Sequence, residues 1–124
     1  MKIKATLAQI NDSIPFIKEL VNKDLPFGIG YKLYTLSQKL DSVIAYLRDK
    51  ITKEYAGLEP QEYNEKLTKF LENKVEIDCE QFDRKEFLDA IKNLDFKPIA
   101  YSAFEFMLTE EPKTEAEDFK ILED

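Results

Sequence analysis

The sequence has no histidine, no tryptophan and a single cysteine, Cys79. Each absence removes a class of chemistry. Without histidine there is no Ser-His-Asp relay and no His-activated thiol. One cysteine cannot supply the several nitrogen and sulfur ligands of a zinc site, nor close an internal disulfide. Its setting, Val75-Glu76-Ile77-Asp78-Cys79, alternates apolar and charged residues and reads as a small core side chain on a strand. Glycine is scarce as well, with three in 124 residues, two of them in Leu25-Pro26-Phe27-Gly28-Ile29-Gly30. A phosphate-cradling loop needs more glycine and a following Lys-Ser/Thr, so this stretch reads as a turn. No apolar run approaches the roughly 20 residues that span a bilayer. Met1-Lys2-Ile3-Lys4 does not lead into the apolar stretch of a signal peptide. The expected location is therefore the cytoplasm, with no membrane contact.

What the chain does have is material for one core. Apolar residues make up 44% and aromatics 12%, while 35% are charged and imply a well-solvated surface. The net charge of −7 is unevenly placed. Residues 1–58 carry nine basic and six acidic side chains, for +3; residues 59–124 carry nine and nineteen, for −10. An acidic balance repels phosphate backbones, so direct nucleic-acid binding is not expected. The asymmetry suits solubility, head-to-tail contact between copies, or an acidic face turned to a basic partner.

Hydropathy patterning predicts an α+β domain, predominantly α, of about five helices and a short two-stranded ribbon. Ile3 between Lys2 and Lys4 marks a strand, and the alternation over residues 75–79 marks its partner. Thr6 can cap a helix carrying Leu7 and Ile10, and Asn11-Asp12-Ser13 before Pro15 reads as a second start, so residues 6–23 form one kinked helix or two short ones. A long helix is predicted from about Gly30 to about Tyr55, closed by Ala56-Gly57. Its spine is Leu33, Leu36, Leu40, Val43 and Leu47. Tyr63, Leu67, Phe70 and Leu71 mark a short helix, Asp83 with Glu86 a capped one, and Pro98 the start of the last. The domain is expected over 1–108, followed by an acidic, flexible tail over 109–124.

Candidate sites are few. Asp78, Glu80, Asp83 and Glu86 cluster and could in principle ligate Mg²⁺ or Ca²⁺, but a strand-to-helix turn wants acidic caps and no EF-hand glycine is present. They read as caps and solvated charges, and neither a metal nor any other cofactor is expected. The long helix is more informative. With Ile29 at zero and about 100° per residue, the side at roughly 140° to 260° holds Tyr31, Tyr34, Thr35, Gln38, Ser42, Ala45 and Tyr46. None is charged, and three are tyrosines, a residue favoured at interfaces. Either the chain's own helices cover this side or a partner does. Phe119, Ile121 and Leu122, set among acidic residues of the tail, are the other expected contact points.

Leu25-Pro26 is followed by Tyr31-Lys32-Leu33, then Leu36, Lys39 and Leu40. Here the sequence resembles a family of short, uncharacterised tailed-bacteriophage proteins with a leucine-proline turn and a long helix opened by Tyr-Lys-Leu. Arg48, Ile51, Lys53 and Tyr55 resemble that helix's end, and Phe70, Glu72, Val75, Glu76 and Ile77 a later stretch; the likeness covers about residues 3–108. Ala56-Gly57-Leu58-Glu59-Pro60 departs from the family's glycine-and-acidic hairpin turn. The family has no activity or functional residue to transfer. The resemblance implies a phage setting, in the cytoplasm of the infected bacterium or in the virion. The expected function is a non-enzymatic structural or assembly-accessory protein acting through contacts with phage or host protein subunits, or with its own copies. The alternative is an acidic inhibitor of host defence, as a nucleic-acid mimic or a nucleotide-sequestering oligomer.

Overall fold

The computed structural model describes residues 1–110. Among them the elements are a two-stranded ribbon and five α-helices, as the patterning predicts. Strand β1 (Lys2–Thr6) buries Ile3 and Ala5 and exposes Lys2 and Lys4. It pairs antiparallel with β2 (Lys74–Glu80), Ile3 lying opposite Ile77 and Ala5 opposite Val75. The register shifts between Lys2 and Ile3, because Lys2 lies opposite Glu80. Asp78 and Cys79 are thereby left without partners on β1. Such a bulge bends a strand and re-aims its side chains. Here Asp78 receives an ion pair from Lys2 at 2.9 Å, and Lys39 donates to its backbone carbonyl.

Helix α1 (Leu7–Val21) starts directly at the end of β1. Thr6 caps it reciprocally: the Gln9 N–H donates to Thr6 Oγ1 at 3.1 Å, and the Thr6 N–H to Gln9 Oε1 at 2.9 Å. The second start at Asn11-Asp12-Ser13 does not form, and the helix runs unbroken through Pro15. Ser13, instead of capping, is fully buried and donates to the Ile10 carbonyl at 2.8 Å. An interior proline costs about 3 kcal/mol. Burying Leu7, Ile10, Ile17 and Leu20 in one continuous stripe returns roughly 1.5–3 kcal/mol for each and outweighs it.

Helix α2 (Phe27–Glu54) is the longest element and begins at Phe27 instead of near Gly30. The Gly30 N–H already donates to the Pro26 carbonyl at 2.9 Å. Pro26 ends the preceding turn, and two nearby glycines do not prevent a first turn whose Ile29 is buried. Leu33, Leu36, Leu40, Ile44 and Leu47 continue that buried stripe, with Val43 half-buried beside it. After α2 the chain turns at Gly57, whose φ of 81° falls in the left-handed region that glycine tolerates best.

Helix α3 (Pro60–Leu71) opens on a proline in its first turn. Helix α4 (Arg84–Ile91) is capped by Asp83, which accepts from the Glu86 N–H at 3.0 Å. Helix α5 (Pro98–Phe104) passes into a short 3-10 turn at Glu105–Met107. Phe82, Phe87 and Phe104 meet edge to face, with centroids 5.4 and 5.6 Å apart. This aromatic cluster joins α4 and α5 to the core.

The chain after the 3-10 turn closes on Phe82. The Phe82 N–H donates to the Met107 carbonyl, and the Thr109 N–H to the Phe82 carbonyl, both at 2.9 Å. Arg84 donates to Thr109 Oγ1 from its backbone and to the Thr109 carbonyl from Nε, while its guanidinium pairs with Glu105. Thr109, expected to open the tail, is thus tied into the domain. Phe119, Ile121 and Leu122, with the rest of 111–124, lie outside the described residues.

Candidate protein-contact surface

The inner stripe of α2 settles the fate of its other side. Leu33, Leu36 and Leu40 are fully buried against the core. A helix locked by one face must turn its opposite face outward unless another element covers it. Among the described residues none does. Tyr31 is 63% exposed, Tyr34 50% and Tyr46 63%, and Gln38, Ser42 and Ala45 are exposed with them. Thr35 is half-buried and donates to the Tyr31 carbonyl at 3.1 Å. Of the two covers named for this face, no helix of the described residues provides one.

The face has internal order. The Gln38 amide donates to the Tyr34 hydroxyl at 3.0 Å, one turn along the helix. Ser42 donates to the Gln38 carbonyl at 3.4 Å. Lys50 Nζ stands 5.8 Å from the Tyr46 ring centroid, within reach of a cation–π attraction. Tyr31 stacks on Phe27, with centroids 6.0 Å apart and planes 17° apart.

Phe27 is the residue that the periodicity missed. At about 160° on the same wheel it belongs to this side, and it is 85% exposed. Assigning Leu25–Gly30 to a turn removed it from the helix. Its stacking with a tyrosine at i+4 is the signal that could have found it. Phe27, Tyr31 and Tyr34 form one exposed aromatic row, with Gln38 and Ser42 after them. From Phe27 to Tyr46 the face runs about 29 Å at 1.5 Å per residue. An isolated large apolar side chain on a surface is ordinary; a contiguous aromatic row is not.

The acidic cluster does different work. Asp83 is the α4 cap, Asp78 is held by Lys2 and Lys39, and Glu80 pairs with the Met1 amino group at 3.0 Å. The hydrogen bond from Lys2, then its charge and that of Lys39, holds the Asp78 carboxyl below its ordinary value. No group of His, Cys, Asp and Glu able to hold a metal ion occurs among the described residues. Cys79 is half-buried on the bulge, and burial pushes its thiol up, away from the reactive thiolate. No helix among the described residues is long and apolar enough to cross a membrane.

No protein-family model, no curated protein and no solved structure matches this chain. The surface has to be read from its own geometry.

Proposed function

We propose that the chain is a non-enzymatic protein-binding module whose contact surface is the outer face of α2 from Phe27 to Tyr46, where no residue is charged. The observation that carries this reading is the exposed aromatic row Phe27, Tyr31 and Tyr34 on a helix anchored along its full opposite side. A rigid backbone presents aromatic groups at low entropy cost, which is what a recognition surface needs. In the phage setting that the Leu25-Pro26 and Tyr31-Lys32-Leu33 resemblance implies, the partners are phage or host protein subunits, and the role is structural or assembly-accessory.

The test is capture of partners by the tagged full chain from infected cells, identified by mass spectrometry. The wild type should retain one or more protein subunits in stoichiometric amount. Tyr31→Ala with Tyr34→Ala should lose them while keeping the wild-type circular dichroism spectrum. Equal capture by the double variant would remove the aromatic face from the contact.

A further inference from the structure

The outer face of α2 has a symmetry of its own. Phe27, Tyr31, Tyr34, Gln38, Ser42, Ala45 and Asp49 all fall within about 40° of the line opposite Ile29. Their spacings run four, three, four and then four, three, four, the same from either end, with Gln38 in the middle. Spacings of three and four are those of a seam along which helices pair. Their mean, about 3.7 residues, is close to the 3.6 of a straight helix, so the seam keeps to one side along its length.

The two halves of the seam differ in size. Before Gln38 stand Phe27, Tyr31 and Tyr34; after it stand Ser42 and Ala45, then Asp49, tied to Lys53 at 3.1 Å. A second copy laid antiparallel, with Gln38 on the two-fold axis, sets Tyr31 beside Ala45 of the other copy and Tyr34 beside Ser42. Phe27 then meets the Asp49–Lys53 pair at the rim. Each large side chain faces a small one or a rim residue, in both directions at once. A parallel copy would set tyrosine on tyrosine and leave a gap between the small halves. Charge fits the same arrangement. A two-fold axis brings like to like, so charge close to it is costly. The seam carries none within about 16 Å of Gln38. The flanking charges nearest Gln38 in sequence are already paired within the molecule, Lys39 with Asp78 at 3.9 Å and Asp41 with Lys18 at 3.2 Å. Gln38 itself has both a donor and an acceptor to offer its own image.

The area is sufficient. Phe27, Tyr31, Tyr34 and, on the rim, Tyr46 are 85, 63, 50 and 63% exposed. At about 200 Å² for each side chain they offer about 500 Å² per copy. Two copies cover about 1,000 Å², the size a specific interface has to reach. We propose that the outer face of α2 pairs antiparallel with the same face of a second copy, across a two-fold axis at Gln38. The proposal rests on the protein-contact reading and names the partner. A different protein on this face would require neither a seam symmetric about one residue nor a bulky half matched by a small half of the same helix.

The test is sedimentation velocity of the full chain over a rising concentration series, with circular dichroism on every variant. The wild type should pass from monomer to dimer, and Tyr31→Ala with Tyr34→Ala should remain a monomer. Ala45→Trp adds apolar area but overfills the small half, so it should weaken the dimer about tenfold or more. Unspecific stickiness would be strengthened by the same change, and a stronger dimer would overturn the proposal. Register is read by cross-linking in a Cys79→Ser background with a short bismaleimide. Gln38→Cys, which meets its own image, should give a covalent dimer. Ala45→Cys, about 21 Å from its image, should not. Equal cross-linking at both positions would overturn the antiparallel pairing. A wild type that stays monomeric throughout, while partner capture still depends on Tyr31 and Tyr34, would overturn the second copy and leave the protein-contact reading standing.

Discussion

The two sides of α2 carry opposite chemistry on one backbone. Toward the core, Leu33, Leu36, Leu40, Ile44 and Leu47 are buried. Away from it, Tyr31, Tyr34, Gln38, Ser42 and Tyr46 stand in solvent, yet none is charged. An ordinary solvated face in a chain with 35% charged residues would carry lysine and glutamate. Lys32 and Lys39 stand instead at the seam with the strand, where they donate to the Gln81 and Asp78 carbonyls. These two lysines fasten the flank, and from Phe27 to Tyr46 the outer face is left to aromatic and small polar groups; the exposed Lys53–Asp49 pair returns charge to that side only in the last turns. Burial explains the inner side completely, and the outer side needs another cause.

Substitutions on either side can break this comparison. The largest effect is expected at Leu40→Ala, which removes a fully buried side chain at a cost of about 2–5 kcal/mol and should lower the melting temperature by many degrees. An unchanged melting temperature would mean that the inner stripe is not the spine of the core. A smaller loss, about 1 kcal/mol, is expected from Thr6→Ala, which removes half of the box that starts α1, the helix packed on that stripe. Urea denaturation has the resolution to see it. On the outer face, Gln38→Glu with Ser42→Glu should change stability by no more than about 0.5 kcal/mol, because both positions are exposed. The same pair should abolish partner capture. A loss of several kcal/mol would show that the face is packed in solution, and unchanged capture would show that it is merely bare.

The smallest effect belongs to the seam. Asp78 has a folded pKa below its ordinary value of 3.8, caused first by the hydrogen bond from Lys2. A depressed carboxyl contributes stability above its unfolded pKa and loses it as the pH falls through the folded one. Asp78→Asn should therefore leave a shallower loss of stability below about pH 3.8 than the wild type shows, with little change at neutral pH. Equal acid limbs would place the ion pair among those that contribute nothing measurable.

How much was legible in advance follows the range of each signal. The Leu33–Leu47 stripe and the Thr6 and Asp83 caps rest on residues within a few positions of one another, or on a period that repeats several times; the pairing of β1 with β2, some seventy residues apart, was legible because a lone strand leaves its backbone unsatisfied and the patterning shows two strands. The misplaced features are those where a local cue met a tertiary one. Pro15 after Asn11-Asp12-Ser13 has the form of a helix start, but burial of Ile10, Ser13 and Ile17 on one side carried the helix through it. Gly28 and Gly30 have the form of a turn, but Ile29 packs into the core and draws the first turn of α2 back to Phe27. That same displacement hid Phe27 from the candidate surface.

The amino-acid sequence by itself determined the number and order of the elements, the inner spine of α2 and the absence of charge from residues 31–46 of its outer face, because periodicity and composition are properties of neighbouring residues. It also excluded histidine-dependent catalysis, since a missing residue type needs no fold to be missing. Only the tertiary structure decided that no described element covers the outer face, that Asp78 is held between Lys2 and Lys39, and that Thr109 belongs to the domain. Each of these depends on which segments, distant along the chain, the burial of the core brings together, and that choice is made by packing all the apolar stripes at once.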